Sequence, residues 1–177
     1  MEAYTVSSAA NSAPSVPTYL RILCLGNELL ADDSFGHVVA DHLHRYATPE
    51  IEVVSTPEAG FHLLDYILNT RRLVVVDSVQ TGKAPVGTVY VFRDKDLQIA
   101  SGSSPHYVGL YESVLLARSL GLAVAGEIVI VAVEIADSTT LGAEMHSALR
   151  AAIPEVVQIV RDIMAEIDCD SAFTKGA

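Results

Sequence analysis

Four short apolar runs rich in β-branched residues, at 20–25, 51–54, 73–76 and 127–133, are separated by stretches long enough for a helix to cross back over a sheet. Runs of this kind are apolar on both faces and need cover on both, so the alternation predicts an α/β fold with a mostly parallel sheet. Phe35, Val38, Val39, His42 and Leu43 recur at helical spacing, and Phe61, Leu64 and Leu68 do so again after Gly60. Leu110, Val114, Ala117 and Leu120 form a third stripe that ends near Gly121, the residue type that stops helices. A last helix is expected over about residues 144–167, with Leu149, Ala152, Val156, Ile159, Ile163 and Ile167 on one face. Pro154 either kinks it or opens a new first turn. Residues 87–92, after the turn at 81–85, could add an edge strand, with an antiparallel direction one option, and 94–105 read as an exposed loop.

A chain of 177 residues supports one core. The expected division is a disordered leader rich in Ser, Ala and Pro over 1–18, a single α/β domain over 19–168 and a flexible tail over 169–177. The leader has neither a basic start nor a continuous apolar core, so it does not read as a signal peptide. The net charge of -11 is spread along the chain, which argues against nucleic acid or an anionic membrane as partner. Cys24 and Cys169 form no CxxC and no disulfide framework, and no 18-residue apolar stretch is present, so a cytoplasmic protein is the simplest account.

Chemistry concentrates at the carboxyl ends of the apolar runs. The first ends in Gly26-Asn27 and is followed by Asp32-Asp33, and the third ends in Asp77. In a parallel sheet these positions share one edge, where α/β folds bind their ligands. His106, after Ser104-Pro105, opens the helix that follows the long loop and could enter the same crevice. Two carboxylates and an imidazole suit a divalent metal. Each residue also has a plainer role. Asp32 is most cheaply read as a helix cap, which Asn would replace well; Asp33 could favour the helix dipole and Asp77 could turn the chain. His106 could hydrogen-bond the backbone, and Gly26-Asn27 could serve a structural turn. Glu134 and Asp137, after the last strand, are secondary candidates for lining the cleft. No Gly-x-Ser-x-Gly elbow or His-Glu-x-x-His helix is present, Ser78 beside Asp77 makes no triad, and Gly26 and Gly36 are too far apart for a dinucleotide loop.

Gly26-Asn27, Leu30, Asp32-Asp33 and Gly36, then Val75-Val76-Asp77, then Ser104-Pro105-His106 with Gly109-Leu110, resemble the three motifs of the nickel-iron hydrogenase maturation endopeptidases. The resemblance runs over about residues 20–167 and implies a five-stranded twisted sheet between helices on both faces, a three-layer sandwich. It implies an endopeptidase that trims the carboxyl end of a nickel-loaded hydrogenase large-subunit precursor, with that precursor as partner and the nickel-insertion machinery as a candidate second one. By that resemblance Asp33, Asp77 and His106 are the metal ligands and carry the catalytic site, with Asp32 an accompanying acid and no attacking nucleophile assigned. The nickel comes with the precursor, and no organic cofactor is expected. Ser34 stands where many relatives have Gly, Cys24-Leu25-Gly26-Asn27 replaces their Gly-x-Gly-Asn, and Ser55-Thr56-Pro57 replaces their Asp-Gly-Gly. The alternative is a nickel-dependent binding or checkpoint protein that holds the precursor without cutting it.

Overall fold

The computed structural model describes residues 18–93 and 105–174, with the side chains of 105–108 and of 167–174 outside that description. The leader expected over 1–18 and the loop expected over 94–105 lie, but for their last residues, outside the described residues.

The strands β1 (Thr18–Leu25), β2 (Ile51–Thr56), β3 (Thr70–Val79), β4 (Val89–Arg93) and β5 (Glu127–Glu134) form one sheet in the order β2-β1-β3-β5-β4. The β1·β2, β1·β3 and β3·β5 pairs are parallel, and β4 closes the edge antiparallel to β5. The helices are α1 (Phe35–Leu43), α2 (Leu64–Ile67), α3 (Pro105–Ser119) and α4 (Ser147–Thr174), the last continuous through Pro154.

Strand alternation sends successive side chains into two separate cores. Leu20, Ile22, Cys24, Val74, Val76, Val129 and Val131 pack with Phe35, Val39 and Leu43 of α1 and with Leu149, Val156 and Val160 of α4. Leu23, Leu25, Leu73, Val75, Ile128 and Ile130 pack with Leu63 and Ile67 and with Leu110, Val114 and Ala117 of α3. The result is a three-layer α/β sandwich, and the central strand β3 is apolar on both faces because both are covered.

The second crossover departs from its expected pattern. Leu63 and Ile67 are buried, whereas Phe61 is 58% exposed. The chain enters through a 3-10 turn, Gly60–Leu63, whose tighter winding shifts the phase of the apolar face before the single turn of α2. Asn69, in the left-handed region at φ 57, then redirects the chain into β3. Leu120 is 63% exposed, because α3 ends at Ser119 and Gly121 turns the chain away.

The end of β1 is built on close backbone approach. A Cβ on Gly26 would run into the carbonyl oxygen of Asp33, and one on Gly36 into that of Leu25. Gly26 also has φ +146, a conformation that L side chains rarely adopt. Glycine at both positions lets the loop 27–34 fold back over the strand end, which is where the acids are delivered.

Candidate functional site

Asp33 lies in the 3-10 turn Asp32–Ser34 that leads into α1 and is buried. The amide of Asn27 donates to its Oδ2 at 3.0 Å, and the hydroxyl of Ser78 donates to its Oδ1 at 3.0 Å. Asp77, near the carboxyl end of β3, has no solvent exposure. Its Oδ1 accepts the amide of Ser78 at 2.7 Å. The two acids, distant in sequence, thus meet through one serine at the carboxyl edge of the sheet.

His106 falls in the first turn of α3, and its side chain lies outside the described residues. The helix carrying it is anchored to the turn after β2. Gly109 faces Gly60 so closely that a Cβ would overlap the Gly60 backbone, and the Ser113 hydroxyl donates to the Gly60 carbonyl at 3.0 Å. Among the described residues no group of three or more His, Cys, Asp and Glu side chains is arranged to hold a metal.

Asp32 does not cap its own turn. The N-cap position is Ala31, with no side-chain hydrogen bond. The buried Asp32 carboxylate instead gathers amides from a distant segment: Ala136 and Asp137 donate to Oδ2 at 3.0 and 3.1 Å, and His146 donates to Oδ1 at 2.7 Å. His146 in turn accepts the amide of Ala148 on Nδ1 and so caps the start of α4. The same two loops are stitched by a bridge between Leu30 and Leu141 and by the Gly142 amide donating to the Leu29 carbonyl at 2.9 Å. The loop that carries Asp33 is therefore clasped to the loop after β5, over the end of β3.

The acids at and just beyond the end of β5, Glu134 and Asp137, are held by nearby donors. Glu134 is 1% exposed; its Oε1 accepts the amides of Thr81 and Gly82, both at 2.7 Å, and its Oε2 accepts the hydroxyls of Thr81 and Tyr90 at 2.7 and 3.1 Å. Burial opposes its charge, but the Thr81 hydroxyl, the Gly82 amide, the Tyr90 hydroxyl and the Thr81 amide outweigh it and hold the carboxyl below its ordinary value of 4.5. Asp137 closes a turn on Thr139 and Thr140, and the Thr140 hydroxyl with the two amides draws its pKa to about 2. A carboxyl whose folded pKa is depressed stabilises the fold above its unfolded value, and that contribution is lost as pH falls through the folded one. Stability is thus expected to fall on acidification below the ordinary carboxylate range, and Glu134→Gln should flatten that slope while lowering stability at neutral pH. Urea unfolding of both proteins from about pH 3 to pH 7 checks this, and parallel profiles would count against it.

Beside the Asp33 loop an open groove of about 420 Å³ runs between the ends of β1 and β2, lined by Gly26, Asn27, Glu28, Leu29, His37, Ser55 and Pro57. His37 stands in its wall, with Nδ1 3.3 Å from the Ser55 hydroxyl and Nε2 3.4 Å from Glu28. Both separations are long for a catalytic relay, and the three side chains make a polar wall to the groove. Neither Glu28 nor His37 belongs to the acidic pairs and motifs that mark candidates in the sequence; their proximity to Ser55 comes from the parallel pairing of β1 and β2. Cys24 is fully buried and its thiol is pushed up by burial, so it cannot supply a thiolate nucleophile.

An open α/β sheet with buried acids and a groove at its carboxyl edge has the layout of a ligand-binding α/β protein. Residues 37–163 match the family of hydrogenase maturation proteases, and the chain belongs to that family. It is 30% identical over 152 residues to the hydrogenase expression/formation protein HupM of Azotobacter chroococcum, covering 83% of this chain and 72% of that one. Its fold is similar to that of the hydrogenase maturating endopeptidase HybD of Escherichia coli, with a TM-score of 0.74 at 23% identity over 84% of this chain and 93% of that one. A second Escherichia coli endopeptidase has a TM-score of 0.69 at 25% identity, over 79% and 89% of the two chains. The protein is accordingly a peptidase. Among the described residues no helix is long and apolar enough to cross a membrane.

Proposed function

We propose that this peptidase removes the carboxyl-terminal extension of a nickel-iron hydrogenase large-subunit precursor in the cytoplasm, and that Asp33, Asp77 and His106 recognise nickel already carried by that precursor. The observation that carries the reading is the meeting of the buried Asp33 and Asp77 at Ser78, on the sheet edge where α/β folds place their ligands. Support also comes from family membership and from the anchoring of the His106 helix to the turn after β2 through Gly109 and Gly60.

Carboxylate oxygens and an imidazole nitrogen form a donor set that nickel accepts. Gripping the metal in the precursor would hold the scissile segment in the adjoining groove and give specificity through proximity. Nickel is part of the substrate here, and the reaction requires no organic cofactor.

The test is incubation of the purified chain with nickel-loaded and nickel-free forms of one large-subunit precursor. Release of the extension peptide from the loaded form alone is expected. Equal cutting of both forms would remove nickel from the recognition step, and stable binding of the loaded form without cutting would overturn the assigned reaction.

A further inference from the structure

We infer that Ser78 is a positioning residue for the cleavage reaction, aligning the Asp33 carboxylate relative to Asp77. The inference rests on the reading of these two acids as parts of the recognition site.

The argument starts from strand alternation. Asp77 has the parity of Val75 and Val79, which pack in the α3 layer, whereas Ser78 has the parity of Val74 and Val76, which pack in the α1 and α4 layer. Asp33 approaches the strand end from the α1 side, in the turn that opens that helix. Asp77 therefore has the parity of the α3 face of β3, whereas Asp33 arrives from the α1 side. One residue answers both: the Ser78 amide donates to Asp77 Oδ1 at 2.7 Å, and its hydroxyl donates to Asp33 Oδ1 at 3.0 Å.

The hydroxyl is costly where it stands. Ser78 is 4% exposed, the two positions of the same parity before it are the buried valines Val74 and Val76, and its register partner on β5 is Val133. Valine at 78 would continue the pattern, so packing alone does not call for serine. What the hydroxyl adds is the second half of a two-point grip on Asp33, whose other oxygen is held by the Asn27 amide at 3.0 Å. With a donor on each oxygen, the carboxylate plane is set before substrate arrives. Outer donors of this type orient metal-binding carboxylates, and their removal weakens binding by about 10- to 100-fold. The Asn27 donor is main chain, so Ser78 is the half of the grip that a side-chain substitution removes.

The experiment measures cleavage of nickel-loaded precursor by the full chain and by Ser78→Ala, Ser78→Thr, Asp33→Asn and the Ser78→Ala/Asp33→Asn double variant, with thermal unfolding of each. Ser78→Ala should raise KM about 10- to 100-fold while kcat changes less, with unfolding close to that of the parent. Thr keeps the hydroxyl and suits a strand, so Ser78→Thr should stay within about 3-fold of the parent. In the Asp33→Asn background the Ala substitution should cost less than about 2-fold more, because its effect passes through Asp33. Parent-like KM in Ser78→Ala, a folded Ser78→Thr as impaired as the Ala variant, or a full additional loss in the double variant would each overturn the inference. Normal cleavage by Asp33→Asn would instead remove Asp33 from the recognition site, which keeps the two failures apart.

Discussion

Asp32→Asn is expected to destabilise the fold by about 2–4 kcal/mol, a large share of a typical domain's margin of roughly 5–15 kcal/mol. Its carboxylate is 2% exposed and accepts three main-chain amides, two on Oδ2 and one on Oδ1. Asparagine has one carbonyl oxygen. In either orientation its NH2 group faces an amide N–H, so at least one donor loses its partner and meets another donor. Hydrogen bonds to a charged acceptor contribute about 1.5–3 kcal/mol each, and a buried donor left unpaired adds its own desolvation cost. The loss should appear as a fall in the thermal midpoint of about 4–16 °C for a domain of this size. A shift smaller than about 1 °C would mean that the clasp between the two loops carries little energy. Were Asp32 a helix cap, Asn would have been nearly neutral, since it caps as well as Asp.

The second large effect is on activity. Asp33→Asn, Asp77→Asn and His106→Ala are each expected to lower cleavage of nickel-loaded precursor by about 100-fold or more, the upper end of what loss of a supporting donor costs. Asn keeps the approximate shape of Asp but removes the anionic oxygen pair, and Ala removes the imidazole. Asp33 accepts a donor on each oxygen, so its variant also needs a fold check by circular dichroism in parallel with the peptide-release assay. Near-normal processing by all three folded variants would defeat the recognition reading.

The alternation of apolar runs was enough to read a parallel sheet covered on both faces, because burial on both sides leaves an unbroken β-branched signature. The edge strand itself was legible from the turn residues before it, while its antiparallel direction was set by its pairing with β5. Phe61 and Leu120 show the limit of periodicity. Local winding at Gly60–Leu63 and the stop at Ser119 set which residues face the core, and neither is encoded in spacing alone.

For the site, sequence by itself determined that Asp77 stands near a strand end and that Gly26 and Gly36 bracket Asp32 and Asp33, since these depend on local order along the chain. Local order alone did not separate the environments of Asp32 and Asp33, to which only the family resemblance gave different roles. The two are adjacent and chemically identical, yet one accepts amides from 104 to 114 residues away while the other is turned toward Ser78. The same holds for Glu134, whose neighbours in sequence say nothing of Thr81, Gly82 and Tyr90. Only the tertiary structure decided these roles, because a buried carboxylate takes its function from the donors that the fold delivers to it, and those donors come from other strands and loops.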